Sequence, residues 1–117
     1  MKIALLGYGR MGKAIEKIAV KKGHIIAAII DKTSSKGNIK NADVAINFSV
    51  PNSALDNIAL ALDKSIPVIC GTTGWLENYQ QAVDLTKKNN TAFLFSSNFS
   101  IGVNIFFKIN QTLAKIM

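Results

Sequence analysis

Histidine and cysteine are nearly absent from this 117-residue chain, which contains one of each, His24 and Cys70. A structural zinc site needs about four such ligands, so the sequence shows no metal site. A single cysteine permits no internal disulfide, which is typical of a reducing compartment. Cys70 lies in an apolar run without a basic neighbour, and His24 begins a predicted strand. We therefore interpret both residues as structural.

Long apolar runs are also absent. The longest are short, such as IIAAII at residues 25–30, whereas a membrane-spanning helix needs about 20 apolar residues. The N-terminal MKIALLG is too short for the apolar core of a signal peptide, and Arg10 and Lys13 follow closely. We expect a cytoplasmic chain without a membrane partner. Because 49% of the residues are hydrophobic, one domain can bury a core.

Acidic residues are scarce in the first third of the chain. Residues 1–40 contain nine Lys or Arg against Glu16 and Asp31, whereas residues 41–117 contain five of each sign. The whole net charge of +7 therefore arises before residue 41. This pattern indicates either a solvated lysine-rich face or attraction of an anionic ligand. No aromatic residues alternate with these lysines, so we expect no nucleic-acid partner.

The hydrophobic pattern alternates between strand and helix along the chain. Continuous apolar runs predict buried strands, and apolar residues at helical spacing predict the helices between them. This order predicts an α/β fold, a Rossmann-type doubly wound parallel sheet with helices on both faces. The first helix is predicted to bury Met11, Ala14, Ile15, Ile18 and Ala19, and the second Ala54, Leu55, Ile58, Ala59 and Leu62. Residues 32–42 are predicted to form a polar loop, a third helix is predicted from Trp75, and Pro51 opens the second helix.

A glycine motif, GYGRMG at residues 7–12, follows the first predicted strand and opens the first helix. In the pattern G-x-G-x-x-G, Gly7 permits the tight turn, Gly9 lets a pyrophosphate approach, and Gly12 lets the helix pack on the strand. Asp31 ends the next strand, where a carboxylate can bind ribose hydroxyls. The motif in this context favours dinucleotide binding, and the alternative is a glycine turn with a capping acid.

The choice between NAD and NADP stays open at Asp31 and Lys32. An acid favours NAD because it repels a 2′-phosphate, whereas a neighbouring cation favours NADP. Arg10 and Lys36 could meet the same phosphate, although solvent exposure is the more usual role of any one lysine.

Two further loops follow predicted strands. Phe48 precedes Pro51 and is compatible with either a cofactor contact or core packing. Gly71, Thr72 and Thr73 form a small polar turn that would admit a flat ring such as nicotinamide, or is an ordinary strand-to-helix turn. Ligands bind at the carboxyl ends of the strands in such sheets, so these loops are the candidate site.

Four motifs together, GYGRMG, NFSVP, CGTTG and SSNFSIGVN, resemble the N-terminal half of the dihydrodipicolinate reductase family. The resemblance implies reduction of 4-hydroxy-tetrahydrodipicolinate with NADH or NADPH, in diaminopimelate and lysine biosynthesis. It also implies a set of cofactor-binding residues in this chain. They are Gly7, Tyr8, Gly9, Arg10, Met11, Gly12, Asp31, Lys32, Phe48, Gly71, Thr72, Thr73, Ser96, Ser97, Asn98 and Phe99.

The chain departs from the family in three respects. Its glycine loop is one residue shorter than in some relatives, Lys32 stands where some carry Arg, and Ser96 and Ser97 stand where Ala is common. Lysine lacks the planar fork of arginine, which weakens the case for strict NADP selectivity.

The family's His-His-x-x-Lys motif, which donates a proton and binds the dicarboxylate substrate, does not occur here. We expect residues 1–100 to form the dinucleotide-binding domain and residues 101–117 to begin the helix leading to a missing substrate domain. No catalytic residue is then expected in this chain, and little reductase activity from it alone. Full-length members are homo-oligomers, largely through that domain. The alternative is a stand-alone NAD(P)-binding module that acts with or regulates another chain.

Overall fold

A computed structural model describes all 117 residues and confirms the alternating order of strands and helices. Two short 3₁₀ turns, at Ile39–Asn41 and Leu76–Asn78, complete the structure. The strands are β1 Lys2–Leu6, β2 Ile25–Ile30, β3 Ser35–Gly37, β4 Val44–Asn47, β5 Val68–Cys70 and β6 Phe93–Phe95. The helices are α1 Arg10–Lys21, α2 Pro51–Leu62, α3 Tyr79–Lys88 and α4 Ile101–Ile116.

The six strands form one sheet in the order β3-β2-β1-β4-β5-β6. Five strands run parallel, and β3 pairs antiparallel with β2 at the edge. The chain first winds outward from β1 to β2 and then returns to the other side of β1 at β4. The strand order therefore reverses between β1 and β4, which is where sheets of this kind bind ligands.

The edge strand β3 corrects the prediction of a polar loop over residues 32–42. Its three residues are exposed, so the apolar pattern gives no strand signal. The strand forms because these residues pair with β2. Gly37 has φ +72° and lies so close to the Ala27 carbonyl oxygen that a Cβ would overlap it. Only glycine fits this approach.

The core has a layer on each face of the sheet, so helices on both faces are confirmed. Alternate residues of β1 point to opposite sides. Ile3 and Leu5 pack with Ala19 of α1, whereas Ala4 and Leu6 join the larger cluster under α2 and α3. The larger cluster includes the predicted α2 residues Ala54, Ile58 and Leu62 and the fully buried Trp75.

Helix α1 is rotated relative to the predicted apolar stripe. Ala19 is buried and Ile15 half-buried as predicted, and Gly12 is buried with them. Met11 and Ile18 are 48% and 54% exposed, and Ala14 is exposed as well. The contact of Gly12 with the Gly7 loop determines this rotation, because it brings the Gly12 face of the helix onto the sheet.

The third helix begins later than predicted. Leu76–Asn78 form a 3₁₀ turn, and α3 starts at Tyr79. Trp75 does not begin the helix, because its ring is buried among Tyr79, Phe93 and Phe95 at centroid distances of 5.7 to 5.9 Å. The aromatic cluster fixes the chain before the α-helix begins.

Helix α4 has the predicted apolar pattern but no buried residue. Phe106, Ile109, Leu113 and Ile116 are all exposed, and Val103 is the one half-buried residue. None of the helices has the length and apolar character needed to cross a membrane.

Candidate functional site

A cleft of about 600 Å³ opens at the carboxyl ends of β1, β2, β4 and β5, at the point where the strand order reverses. We refer to it as the cleft. It brings together the glycine loop, the end of β2 and the loops after β4 and β5. Its lining residues are Gly7, Tyr8, Gly9, Arg10, Met11, Ile30, Asp31, Lys32, Phe48, Ser49, Val50, Ser53, Asn57, Gly71, Thr72 and Thr73.

The three glycines of the loop differ in whether neighbouring atoms would exclude a side chain. Gly7 has φ +93°, and a Cβ on it would overlap the Phe48 carbonyl oxygen. A Cβ on Gly12 would lie 2.5 Å from the Gly7 carbonyl oxygen. Gly9 has φ −86° and no atom within 4 Å of a Cβ position. The fold therefore requires glycine at positions 7 and 12 but not at position 9, which borders open space in the cleft.

The N-terminus of α1 faces the cleft without a side-chain cap. Gly9 is the N-cap residue, no side chain hydrogen-bonds to the first turn, and no acid lies in that turn. The backbone N–H groups at the start of a helix have no partner within the helix and carry the positive end of its dipole. Arg10 lies beside them and is exposed. This arrangement can bind an anion such as a pyrophosphate.

Tyr8 is held in the cleft wall by α1. Its hydroxyl donates a hydrogen bond to the carboxylate of Glu16, and the Lys13 ammonium lies 5.7 Å from the centre of its ring. The hydrogen bond to Glu16 raises the pKa of Tyr8 above its ordinary value, because ionisation of the phenol would lose the bond and place two negative charges together. This pair was not predicted from the sequence. The sequence feature that indicates the pair is Glu16, the single acid in α1, eight residues after Tyr8.

Asp31 directly follows β2, and one oxygen of its carboxylate already accepts a hydrogen bond. Its Oδ1 accepts a hydrogen bond of 2.9 Å from the Lys32 backbone N–H, which leaves the other oxygen for a ligand. Its own N–H donates to the Ser34 carbonyl at 2.9 Å, so the turn is fixed. Lys36 lies in β3 and does not line the cleft.

The loops after β4 and β5 are joined to each other. The Ser49 N–H donates to Thr72 Oγ1 at 2.8 Å, and Trp75 Nε1 donates to the Thr72 carbonyl at 2.7 Å. The half-buried Phe48 ring covers Gly71 so closely that a Cβ there would overlap it. Phe48 thus packs against Gly71 and also forms part of the cleft wall, where a cofactor contact stays a prediction. Thr73 lines the same wall and is exposed.

The loop of residues 96–99 lies at the same edge of the sheet but does not line the cleft. Its polar groups bond within the loop and to α4. Ser96 Oγ donates to the Asn98 carbonyl, and Asn104 Nδ2 donates to the carbonyls of Asn98 and Ser100, at 2.8 to 2.9 Å. Ser100 caps α4 by accepting from the Val103 N–H at 3.3 Å. Phe99 alone reaches the wall, edge-on to Phe48 at 6.5 Å between ring centres. Ser97 is exposed.

Helix α2 contributes two polar residues that were also not predicted from the sequence. Ser53 and Asn57 lie one turn apart and line the cleft next to Ser49 and Val50. Residues four apart share one face of a helix. Their spacing, on the opposite side from the apolar stripe, was a usable signal once Pro51 marked the start of the helix.

The two residues interpreted as structural lie outside the cleft. Cys70 is fully buried, and burial raises the pKa of its thiol, which makes it less reactive. The Asn47 amide donates to its sulfur at 3.5 Å. His24 Nδ1 lies 3.2 Å from the N-terminal amine. The structure contains no group of three or more His, Cys, Asp and Glu side chains able to hold a metal ion.

The residues of the cleft fit a dinucleotide. A glycine without a packing role, an uncapped helix N-terminus and a carboxylate with a free oxygen lie in one cleft. They match the needs of a backbone approach, a pyrophosphate and a ribose, respectively.

Comparison of the sequence with protein families gives one match to most of the chain. The family model described as dihydrodipicolinate reductase, N-terminus, matches residues 1–99. A 4-hydroxy-tetrahydrodipicolinate reductase of Christiangramia forsetii is 48% identical over 119 residues, which cover 100% of this chain and 50% of the relative. The enzyme of the same name from Staphylococcus aureus strain MRSA252 is 36% identical, covering 93% and 48%. The chain thus spans about half the length of these curated relatives.

Solved structures share the fold at low sequence identity. A putative homoserine dehydrogenase from Archaeoglobus fulgidus gives a TM-score of 0.69 at 19% identity, over 81% of this chain and 42% of that one. A hyperthermophilic archaeal homoserine dehydrogenase in complex with NADPH gives 0.67 at 17% identity, over 82% and 43%. At this identity the likeness establishes the Rossmann-type fold.

Proposed function

This chain belongs to the dihydrodipicolinate reductase family, and we propose that it forms the NAD(P)H-binding half of a 4-hydroxy-tetrahydrodipicolinate reductase. Such an enzyme reduces 4-hydroxy-tetrahydrodipicolinate to tetrahydrodipicolinate in diaminopimelate and lysine biosynthesis. The observation that carries the proposal is the cleft at the strand-order reversal, with Gly9 open to it and the uncapped α1 above it. That NADPH is bound by a structural neighbour of the same fold supports the choice of cofactor.

The residues of the cleft divide into three groups by chemistry. Gly7–Gly12 and the start of α1 hold the pyrophosphate, and the free oxygen of Asp31 binds the adenosine ribose, with Lys32 beside it. Gly71–Thr73 and Phe48 form the wall for the nicotinamide end, and Phe99 supports Phe48 from outside the cleft. Ser96–Asn98 are proposed as main-chain contacts at the nicotinamide end.

The bound cofactor supplies a hydride, and the residues of this chain orient it and exclude water from one side. We propose that residues 1–100 are the dinucleotide-binding domain and that residues 101–117 lead toward the substrate-binding part of the family enzymes. The groups that bind the dicarboxylate and donate a proton then belong to the half of the relatives that this chain does not span.

The proposal is tested by titrating the chain with NADH and NADPH and following the fluorescence of the cofactor. We expect micromolar binding of at least one of them. Asp31→Asn keeps an acceptor for the Lys32 N–H but removes the charge, so NADH should bind more weakly and the preference should shift toward NADPH. Asp84→Asn on the exposed face of α3 is the matched control and should bind like the original chain.

The buried Trp75 reports whether each variant is folded. A folded chain that binds neither cofactor at millimolar concentration would contradict the proposal.

A further inference from the structure

The excess positive charge of the chain lies on one side of the molecule. Residues 1–40 carry nine cations and two acids and form β1, α1, β2 and the edge strand β3, whereas residues 41–117 have no net charge. The unequal distribution of charge along the sequence therefore becomes an electric field that is positive on one side of the molecule. Arg10, Asp31 and Lys32 line the cleft, so the cleft opens on the positive side.

The outer face of α1 carries three of the nine cations in one line. Arg10, Lys17 and Lys21 are exposed and lie along the side opposite the buried Gly12 and Ala19. We refer to these three residues as the basic face. The single acid of the helix, Glu16, lies toward the sheet side and accepts the Tyr8 hydroxyl. The basic face therefore extends from the cleft to the far end of the helix without a negative charge.

Two of these cations are too far from the cleft to contact a ligand in it. At 1.5 Å per residue, Lys17 lies about 10 Å and Lys21 about 16 Å along the axis from Arg10. These separations exceed hydrogen-bond reach but are shorter than the Debye length of about 30 Å at 10 mM salt. At such salt concentrations the two lysines act on an approaching anion through the field alone.

We propose that Lys17 and Lys21 of the basic face steer the anionic dinucleotide into the cleft and raise its association rate without contacting it in the bound complex. The inference rests on the proposed function and deepens it. Electrostatic steering raises association rates by factors of about 10 to 1,000 and weakens with added salt. NADPH carries an additional phosphate, so its association should depend on salt more steeply than that of NADH.

The test is stopped-flow binding of NADH and NADPH to the double variant Lys17→Gln/Lys21→Gln. The matched control is Lys87→Gln/Lys88→Gln, which removes the same charge from the last turn of α3 in the neutral part of the chain. At about 10 mM salt we expect the association rate constant of the first variant to fall about threefold or more. We expect the fall to be larger for NADPH, the dissociation rate constant to stay unchanged, and the control to behave like the original chain.

At about 0.5 M salt the Debye length falls below about 5 Å, and the difference between the variants should vanish. A slower association in the control of equal size, an effect confined to the dissociation rate, or a rate insensitive to salt in the original chain would each overturn the inference. Binding with a salt-insensitive rate leaves the proposed function standing and removes the steering alone. Absence of any binding to the folded chain removes the proposed function itself.

Discussion

Gly9 and Gly12 belong to one loop, but contacts inside the chain demand only the second of them. A Cβ at Gly12 would press on the Gly7 carbonyl oxygen, and a Cβ at Gly9 would enter open space. The fold therefore needs a glycine at position 12, whereas position 9 is open to a ligand.

Gly9→Ala should abolish dinucleotide binding while costing less than about 1 kcal/mol of unfolding free energy, the cost of a poorer N-cap. Gly12→Ala should instead destabilise the fold by about 1–3 kcal/mol, because the helix must move away from the loop. Urea unfolding followed by Trp75 fluorescence measures the second effect, and cofactor titration measures the first. A Gly9→Ala chain that binds NADH normally would show that the backbone at position 9 does not approach the ligand.

Tyr8 provides a pH-dependent residue in the same wall. The neutral phenol is the form that donates to Glu16, so the bond stabilises the folded chain below the ordinary pKa of about 10. The stabilisation is lost as the pH rises through the raised pKa of Tyr8. In a Tyr79→Phe background, which leaves one tyrosine, Glu16→Gln should lower the pKa seen in the phenolate absorbance.

Glu77→Gln removes the other glutamate and should leave that pKa where it is. If Glu16→Gln and Glu77→Gln give the same absorbance titration, Glu16 is not the partner of Tyr8 in solution.

At the scale of elements, helix α1 shows how one contact orients twelve residues. The apolar spacing of Met11, Ala14 and Ile18 is as regular as that of Ile15 and Ala19, and hydropathy alone does not choose between the two faces. The approach of Gly12 to the Gly7 loop makes the choice.

The rotation of α1 predicts unequal effects from the same substitution at two positions. Ile15→Ala should lower the unfolding free energy by about 1–2 kcal/mol, because Ile15 packs against the cluster of Ile3, Leu5 and Ala19. Ile18→Ala should change it by less than about 0.5 kcal/mol, because Ile18 is exposed. Urea midpoints of the two variants decide the matter, and equal losses would contradict the observed rotation.

The role of the loop SSNFS, residues 96–100, is only partly evident from the sequence. Ser100 caps α4, and Phe99 packs beside the cleft wall. The remaining polar groups hold the loop and the helix together, since Asn104 donates to two carbonyls of the loop. Much of the polarity of this segment is thus used inside the chain.

At the scale of the whole molecule, stability is unevenly distributed. The chain extends 53 Å in its longest dimension and 25 Å in its shortest, and α4 has no buried residue. All 21 buried residues lie between Ile3 and Ala82, in the sheet, in helices α1 to α3 and in the segments that connect them. Segments with few buried contacts open with little free energy, so α4 should be the least protected helix.

Hydrogen exchange measures this difference directly. In the 117-residue chain, amides of α4 should exchange at rates near those of an unfolded peptide, whereas amides of β1 and β4 should exchange only on global unfolding. Protection of α4 that rises with protein concentration would instead indicate that its exposed apolar side chains associate between molecules. Protection independent of concentration would contradict the isolated position of the helix.

Sequence patterns alone predict the alternation of strands and helices. They also predict the glycine loop and the edge of the sheet that bears the cleft. These features depend on local properties: the period of the apolar residues, the freedom of glycine, and the rule that parallel strands end together. The motifs also identified the family, because four loops in a fixed order are far more specific than any one of them.

The tertiary structure alone decided the rotation of α1, the pairing of β3, the bond between Tyr8 and Glu16, and the place of Ser53 and Asn57 in the cleft. It also placed Ser96–Asn98 outside the cleft lining. Each of these depends on atoms that meet in space from separate elements or turns. Local periodicity carries no information about which of two apolar faces, or which polar side chain, will find its partner there.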